Sequence, residues 1–194
     1  MRSTLLQQQE GLCQERMKDD EIYALYAAGE REKAFNELVK KYGERLYWHI
    51  RSFSCSHEDT DDILQDTFVK IWNALPSFRG EARLFTWVWR IATNQVLNHI
   101  RDVRLRNFFS PASEVRPYLE TLESDPYFNG DDAQKRLLAA IDKLPPKQRM
   151  VFVMRYFEEL EYKDISEIMH TTVGSLKASY HHAYMKIRKE ITGD

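Results

Sequence analysis

The chain has 194 residues, 43% of them hydrophobic, which is enough to bury the cores of one or two domains; 7 Gly and 6 Pro favour long helices over a strand-rich fold. A formal net charge of −2 would weigh against nucleic-acid binding if it were spread evenly, but it is not. Glu58 to Asp66 holds five acids and no Lys or Arg, whereas Arg79 to Arg106 holds six Arg against Glu81 and Asp102. One such run is usually a solvated face; opposite runs within one compact segment point to partner surfaces.

Residues 1–18 are polar and Gln-rich and read as a loose or partly helical leader. The leader lacks the apolar stretch of a signal peptide. From Asp20 the spacing of Ile22, Leu25 and Tyr26 predicts a helix, broken at Gly29. A second helix is expected from near Arg31, with Phe35, Leu38, Val39, Tyr42, Leu46 and Ile50 on one stripe. His57 to Thr60 is a polar start signal whose acids suit the positive end of a helix. Ile63, Leu64, Phe68, Ile71, Trp72 and Leu75 form the stripe of that third helix. Pro76 ends it, and PSFRGEARL reads as a loop. The next helix, from about Leu84 to Val103, is built around Phe85, Val88, Trp89, Ile91, Ala92, Val96 and Ile100. Trp87 and Trp89 stand two residues apart and cannot share a helix face, so one is core and the other partly exposed.

Composition changes near Arg104. Residues 104–131 carry Pro111, Pro117, Pro126, Gly130 and scattered acids, and read as a flexible linker between two domains, 20–103 and 132–191. In the second, Leu137, Leu138, Ile141 and Leu144 make one stripe, stopped by Pro145-Pro146. Lys147 to Phe157 is the next helix, and Tyr162 to Met169 a short one. Thr171-Thr172 offers a cap for a last helix from Val173 to Ile191. A short helix, a tight turn and a longer helix, with Ile165, Ile168, Val173 and Leu176 as interior, is helix-turn-helix spacing. Taken alone, that spacing leaves DNA binding and ordinary helical packing equally open. The expected fold is therefore all-α, with two helical domains and a helix-turn-helix in the second.

Here the chain resembles a known family over roughly residues 20–103 and 132–191. DDILQDTFVKIW, FRGEARLFTWVWRIATN and LPPKQRMVFVMRYFEELEYKDISEIMHTTVGSLKASYHHAYMKIRKEI are similar to the polymerase-docking, promoter-melting and promoter-reading segments of bacterial RNA polymerase sigma factors of the extracytoplasmic-function (ECF) group. The resemblance implies a transcription initiation factor that binds core RNA polymerase, directs it to promoters and assists DNA opening. It implies that Asp61, Asp62, Gln65 and Asp66 meet a coiled coil of the polymerase's largest subunit. Phe78, Arg79, Gly80 and Arg83, with Arg90 and Asn94 on the following helix, would handle the unpaired strand of the minus-ten element. Aromatic faces and Arg suit unpaired bases, at about 1–3 kcal/mol per stacked base. Arg101, Arg104 and Arg106 would hold phosphates beyond that helix. Thr172, Ser175, Lys177, Ser179, Tyr180 and His181 would enter the major groove of the minus-thirty-five element. Many relatives carry Arg where this chain has Ser179, His182 and Tyr184, and Gly where it has His170. These departures imply an unusual upstream element, while the apolar frame is kept. The partners implied are core polymerase, duplex and single-stranded promoter DNA, and an anti-sigma factor. Packing of the two domains against each other would cover their DNA surfaces in the free protein.

The competing reading is a helix-turn-helix regulator with an amino-terminal sensor domain, which has no need of Arg and Trp around residues 78–94. A third is a polymerase-binding protein without a promoter role, which would lack the basic last helix. No phosphate-binding Gly loop, metal cluster or nucleophile motif is present, so no enzymatic activity, metal or cofactor is expected. Cys13 and Cys55 form no CxxC and no zinc spacing, and fit a reduced, cytoplasmic protein. No apolar run reaches about 18 residues, so no membrane insertion is expected.

Overall fold

The computed structural model describes residues 19–53, 56–80, 82–109 and 132–192. The Gln-rich leader, Cys13, Cys55, Glu81 and residues 110–131 of the expected linker lie outside the described residues, as do the side chains of Arg104 and Arg106.

The first unit contains α1 (19–27), α2 (Arg31–Arg51), α3 (His57–Ala74), a 3-10 turn (Leu75–Ser77) and α4 (Leu84–Phe109). The second contains α5 (Asp132–Asp142), α6 (Pro146–Tyr156), α7 (Tyr162–Met169) and α8 (Val173–Thr192). Among the described residues there is no strand.

Local chemistry explains the boundaries. Gly29, at φ +83, lets the chain reverse after α1. Ser56 begins α3 with a capping box: its Oγ accepts from the Asp59 N–H at 2.9 Å, and the Asp59 carboxylate accepts from the Ser56 N–H at 3.3 Å. Such caps contribute about 1 kcal/mol. Pro76 confines the end of α3 to a 3-10 turn. Helix α4 runs past Val103 to Phe109, six residues into the expected linker. No Gly or Pro interrupts the chain between Thr86 and Phe109. The change in composition at Arg104 altered charge, not helical competence.

The first core lies between Ala34, Leu38, Tyr42, Leu46 and Ile50 of α2, Ile63 and Ile71 of α3, and Val88, Trp89, Ala92 and Val96 of α4. Phe35 and Val39, expected on the α2 stripe, are only half-buried, and Ala34 takes the deeper place. Each large side chain buried here contributes about 1.5–3 kcal/mol. Thr60 and Thr67 are also buried in this core. Their hydroxyls donate to the carbonyls of Ser56 and Ile63, both at 2.7 Å, so neither is left unpaired.

In the second unit, Met150 to Met154 of α6 are all buried. A helix buried on every side must be central, and α6 is wrapped by α7 and α8. Val173, expected inside, is partly exposed; Ala183 and Ile187 fill that side of the core instead. The two units are packed together, chiefly through α4 and α7.

Candidate nucleic-acid and polymerase interfaces

On α3 the residues Ile63, Thr67 and Ile71 point inward. Asp62, Gln65 and Asp66 are thereby exposed, while Asp61 is half-exposed. His57 stands one turn before Asp61, with its Nε2 3.7 Å from that carboxylate. Val69, 58% exposed, lies on the same face. Its signal in the sequence is an apolar residue out of phase with the buried stripe. Lys70, one residue on, hydrogen-bonds Gln95 of α4. The acidic face is thus a surface with an apolar centre, able to pair with cations and bury a small hydrophobic contact.

The loop between α3 and α4 is a pocket rather than a free strand. Phe78 packs edge-on to Tyr23 at 6.0 Å and tilted against Trp87 at 4.9 Å. Gly80 is held at φ +73, which a side-chain-bearing residue would adopt only at a cost. Ser77, Phe78, Arg79, Ala82, Trp87 and Arg90 line one open pocket. Its walls are two aromatic rings and its rim carries two guanidinium groups, a chemistry suited to an unpaired base and its phosphate. Of the two tryptophans that cannot share a face, Trp89 is buried and Trp87 is left to form the pocket wall. Asn94 lies outside this pocket, exposed beside Lys70 and Asn73 at the next groove along α4.

Two of the expected DNA-contacting arginines are engaged by the second unit. Arg83 Nη1 lies 3.3 Å from the Asp164 carboxylate. Arg90 Nη2 donates to the Glu167 carbonyl at 3.0 Å, and its Nε is buried with no hydrogen-bond partner. Beside them the Trp89 indole N–H donates to Glu158 at 2.8 Å.

The helix-turn-helix is α7, a three-residue turn and α8. His170 adopts a left-handed conformation, φ 48 and ψ 48, at the end of α7. Thr172 Oγ1 accepts from the Ser175 N–H at 3.3 Å and starts α8. Leu176, Ala183 and Ile187 face the core. Thr172, Ser175, Lys177 and His181 are exposed, and Ser179 is half-buried at the edge of that face. Tyr180 is turned the other way: its ring stacks on Phe152 at 5.6 Å, and burial pushes its hydroxyl pKa up. Ala178, His182 and Met185 share the exposed face and were not among the expected contacts. The Ala178 methyl is of the kind that meets a thymine methyl.

These surfaces belong to a two-part, all-helical protein whose second unit carries a helix-turn-helix. The sequence profile described as sigma-70 region 2 matches residues 38–106, and that described as sigma-70, region 4 matches residues 134–187. The chain is 30% identical over 190 residues to the RNA polymerase sigma-H factor of Pseudomonas aeruginosa, covering 90% of this chain and 94% of that one. It is 27% identical to the ECF RNA polymerase sigma-E factor of Haemophilus influenzae, over 91% of this chain and 97% of the relative. Two solved structures share the fold. One is CnrH in complex with the cytosolic domain of CnrY, with TM-score 0.67 and 23% identity, covering 91% of this chain and 99% of that one. The other is the sigma factor RpoE in complex with the anti-sigma factor NepR from Bartonella quintana, with TM-score 0.63 and 20% identity, covering 84% and 99%. The chain belongs to the sigma-70 family of RNA polymerase sigma factors, in its extracytoplasmic-function group. It is a transcription initiation factor that acts with core RNA polymerase at promoters, which sets aside the regulator with a sensor domain. Among the described residues no helix is long and apolar enough to cross a membrane.

Proposed function

We propose that the acidic face of α3, formed by Asp61, Asp62, Gln65 and Asp66, docks on core polymerase, and that the pocket beside it takes an unpaired base of the minus-ten element. Phe78 and Trp87 stack that base, Arg79 and Arg90 hold its phosphates, and Gly80 sets the backbone turn. Arg83 and Asn94 continue the path along α4. The exposed face of α8, with Thr172, Ser175, Lys177 and His181 and now Ala178, reads the minus-thirty-five element as duplex; Ser179 borders it and Tyr180 buttresses it from behind. On this reading residues 20–103, extended by α4, form the region-two domain, 104–131 the connection, and 132–191 the region-four domain. The factor works where polymerase works, in the cytoplasm, catalyses nothing itself, and is held in check by an anti-sigma partner.

The pocket with two aromatic walls and two guanidinium groups carries this reading, because duplex recognition alone has no use for it. Run-off transcription with core polymerase on a genomic promoter library tests it. Specific transcripts should appear only when the chain is added. A variant with Trp87→Ala should still bind polymerase but yield few open complexes; full opening by that variant would overturn the assignment of the pocket.

A further inference from the structure

Between Val173 and Ala183, the first turns of α8, Lys177 is the single Lys or Arg. Lys186, Arg188 and Lys189 follow in the last two turns, and Lys186 already donates to Gln148 at 3.0 Å. Base discrimination by charge on α8 therefore depends on one ammonium group and its direction. A lysine stem is flexible, and freezing its rotamers opposes binding.

One ring restricts that ammonium. Tyr162 is the first residue of α7 and is half-buried against the core. The Lys177 Nζ lies 5.8 Å from the centre of its ring, and the Arg155 Cζ lies 5.4 Å from it. The ring is held in turn. Tyr180 meets it edge-on, with centroids 6.4 Å apart and planes at 86°, and Tyr180 is itself stacked on Phe152. Arg155 is fixed by donating to the Leu160 carbonyl at 3.0 Å and to the Glu159 carbonyl at 3.4 Å. Helices α6, α7 and α8 thus converge on one aromatic ring, and of the side chains gathered there Lys177 is the exposed one.

We infer that Tyr162 is a positioning residue for promoter reading: its ring confines the Lys177 ammonium, so that α8 meets a duplex base edge with its one cation already ordered. The inference rests on the reading of α8 as the duplex-facing helix. An ammonium is attracted by the quadrupole of an aromatic face, by about two- to fivefold in an equilibrium at exposed sites. Lysine reads guanine through N7 and O6, two acceptors on one edge of the major groove, whereas adenine sets an N6 donor beside N7. A confined ammonium therefore selects a G·C pair at its position. A loose one finds phosphates on every sequence and selects nothing. Tyr162 acts on discrimination more than on total affinity.

The test uses the full chain. Selective isotope labelling of the lysine ε-methylenes gives a direct view of the contact by NMR. The Lys177 signal, identified by its absence in Lys177→Arg, should be shifted upfield by the Tyr162 ring. It should keep that shift in Tyr162→Phe and lose it in Tyr162→Leu. Holoenzyme assembled from core polymerase and each variant is then equilibrated with a duplex pool randomised over the minus-thirty-five region, and the bound fraction is sequenced. Lys177→Ala should lower the preference for guanine at one base pair about fivefold or more. Tyr162→Leu should lower it at that same pair about two- to fivefold, leaving the other positions unchanged, and Tyr162→Phe should retain it. In the double variant, Tyr162→Leu should add nothing to Lys177→Ala. Circular dichroism checks that the variants keep their helices, and the shift in the unaltered protein needs no variant at Tyr162 to fold. An ordinary lysine position for the Lys177 signal in the unaltered protein overturns the role of the ring. So does a preference lost as fully in Tyr162→Phe as in Tyr162→Leu, which would assign the effect to the hydroxyl. Additive losses in the double variant overturn action through Lys177. A ring shift with no loss of preference in Lys177→Ala overturns the link to promoter reading and places the failure in the reading of α8, since the contact itself was seen.

Discussion

Arg149 and Phe53, 96 residues apart, are joined by a hydrogen bond of 3.2 Å from the guanidinium Nη1 to the backbone carbonyl. Arg149 is buried on α6, where its Nε also donates to the Ile141 carbonyl at 3.1 Å and its Nη2 meets Asp142. One side chain therefore ties α5 to α6 and α6 to the end of α2. Arg149→Ala removes all of these donors at once and leaves buried acceptors unpaired. Urea titration followed by circular dichroism should show a loss on the order of 2–4 kcal/mol. Arg149→Lys keeps a charge but not the planar fork, and should recover only part of it. A loss within about 0.5 kcal/mol, the range of an ordinary surface change, would mean that water replaces the guanidinium.

Asp62 and Asp66 lie one turn apart on the exposed face of α3, with Val69 beside them. Their charge is directed to solvent in the free chain, so reversing it removes no buried internal contact. Asp62→Lys with Asp66→Lys should leave the helical signal intact and weaken association with core polymerase about tenfold or more at physiological salt. Val69→Ser should weaken it further by loss of the apolar centre. Unchanged affinity in a fluorescence titration would remove this face from the interface.

Much of this was readable from the residues, and the limits have physical causes. Helix stripes with strong periodicity were located to within a residue or two, because burial fixes their phase. Ala34 and Thr67 were missed because a small or hydroxyl-bearing residue carries no hydrophobic signal, although each can be fully buried. The length of α4 was not legible because a change in charge composition is not a backbone boundary: with no Gly or Pro the helix continues to Phe109. At the sites, the exposed carboxylates of α3 and the exposed start of α8 lay where periodicity places them. Tyr180 did not, since an aromatic on a recognition helix can equally serve the core. His170 ends α7 in a left-handed conformation, which a His adopts with some strain and which no periodicity reports. The engagement of Arg83 and Arg90 by α7 was beyond sequence reading altogether. It depends on two partners 77 and 81 residues away, and no local pattern reports such a distance.

The two DNA surfaces should separate two steps of initiation. Lys177→Ala removes an exposed cation from α8 and should lower closed-complex formation on duplex promoter DNA by roughly 1 kcal/mol or more if it meets a base edge. Arg79→Ala should affect strand opening more than closed-complex formation. Arg79 is the cleaner probe than Arg83, whose loss also frees Asp164. Filter binding of closed complexes, run beside permanganate reactivity of unpaired thymines, distinguishes the steps. Equal losses of both signals in both variants would refute the division of labour.

Acid should act on the closed arrangement, in which the two units pack through α4 and α7, in two opposed ways. Burial pushes the Glu158 carboxyl up, but the charge and hydrogen bond of His49, the Trp89 indole N–H and the charge of Arg45 together hold it below the ordinary carboxylate value. A group with a depressed pKa in the closed form favours closure above its open-form pKa, and that contribution fades as pH falls through the closed-form value. Asp164 behaves oppositely. Burial pushes its carboxyl up, Glu161 and Glu167 add to that, and Arg83 and Lys163 offset only part of it. Its ionised form therefore disfavours closure, and protonation relieves the penalty. Protonation of Asp164 relieves a penalty on the packed arrangement, so it should not by itself separate the units. Protonation of Glu158, as pH falls through its lowered pKa, should loosen the packing of the units. Scattering across an acid series should show a compact particle through the mild range and expansion at its lower end, with helices retained. Asp164→Asn should be as compact as the unaltered chain at neutral pH, because it removes a carboxylate that closure desolvates. Glu158→Gln should lose the acid step, having no proton to gain. A variant with Glu158→Gln that kept the same acid midpoint would show that some other carboxylate controls the opening.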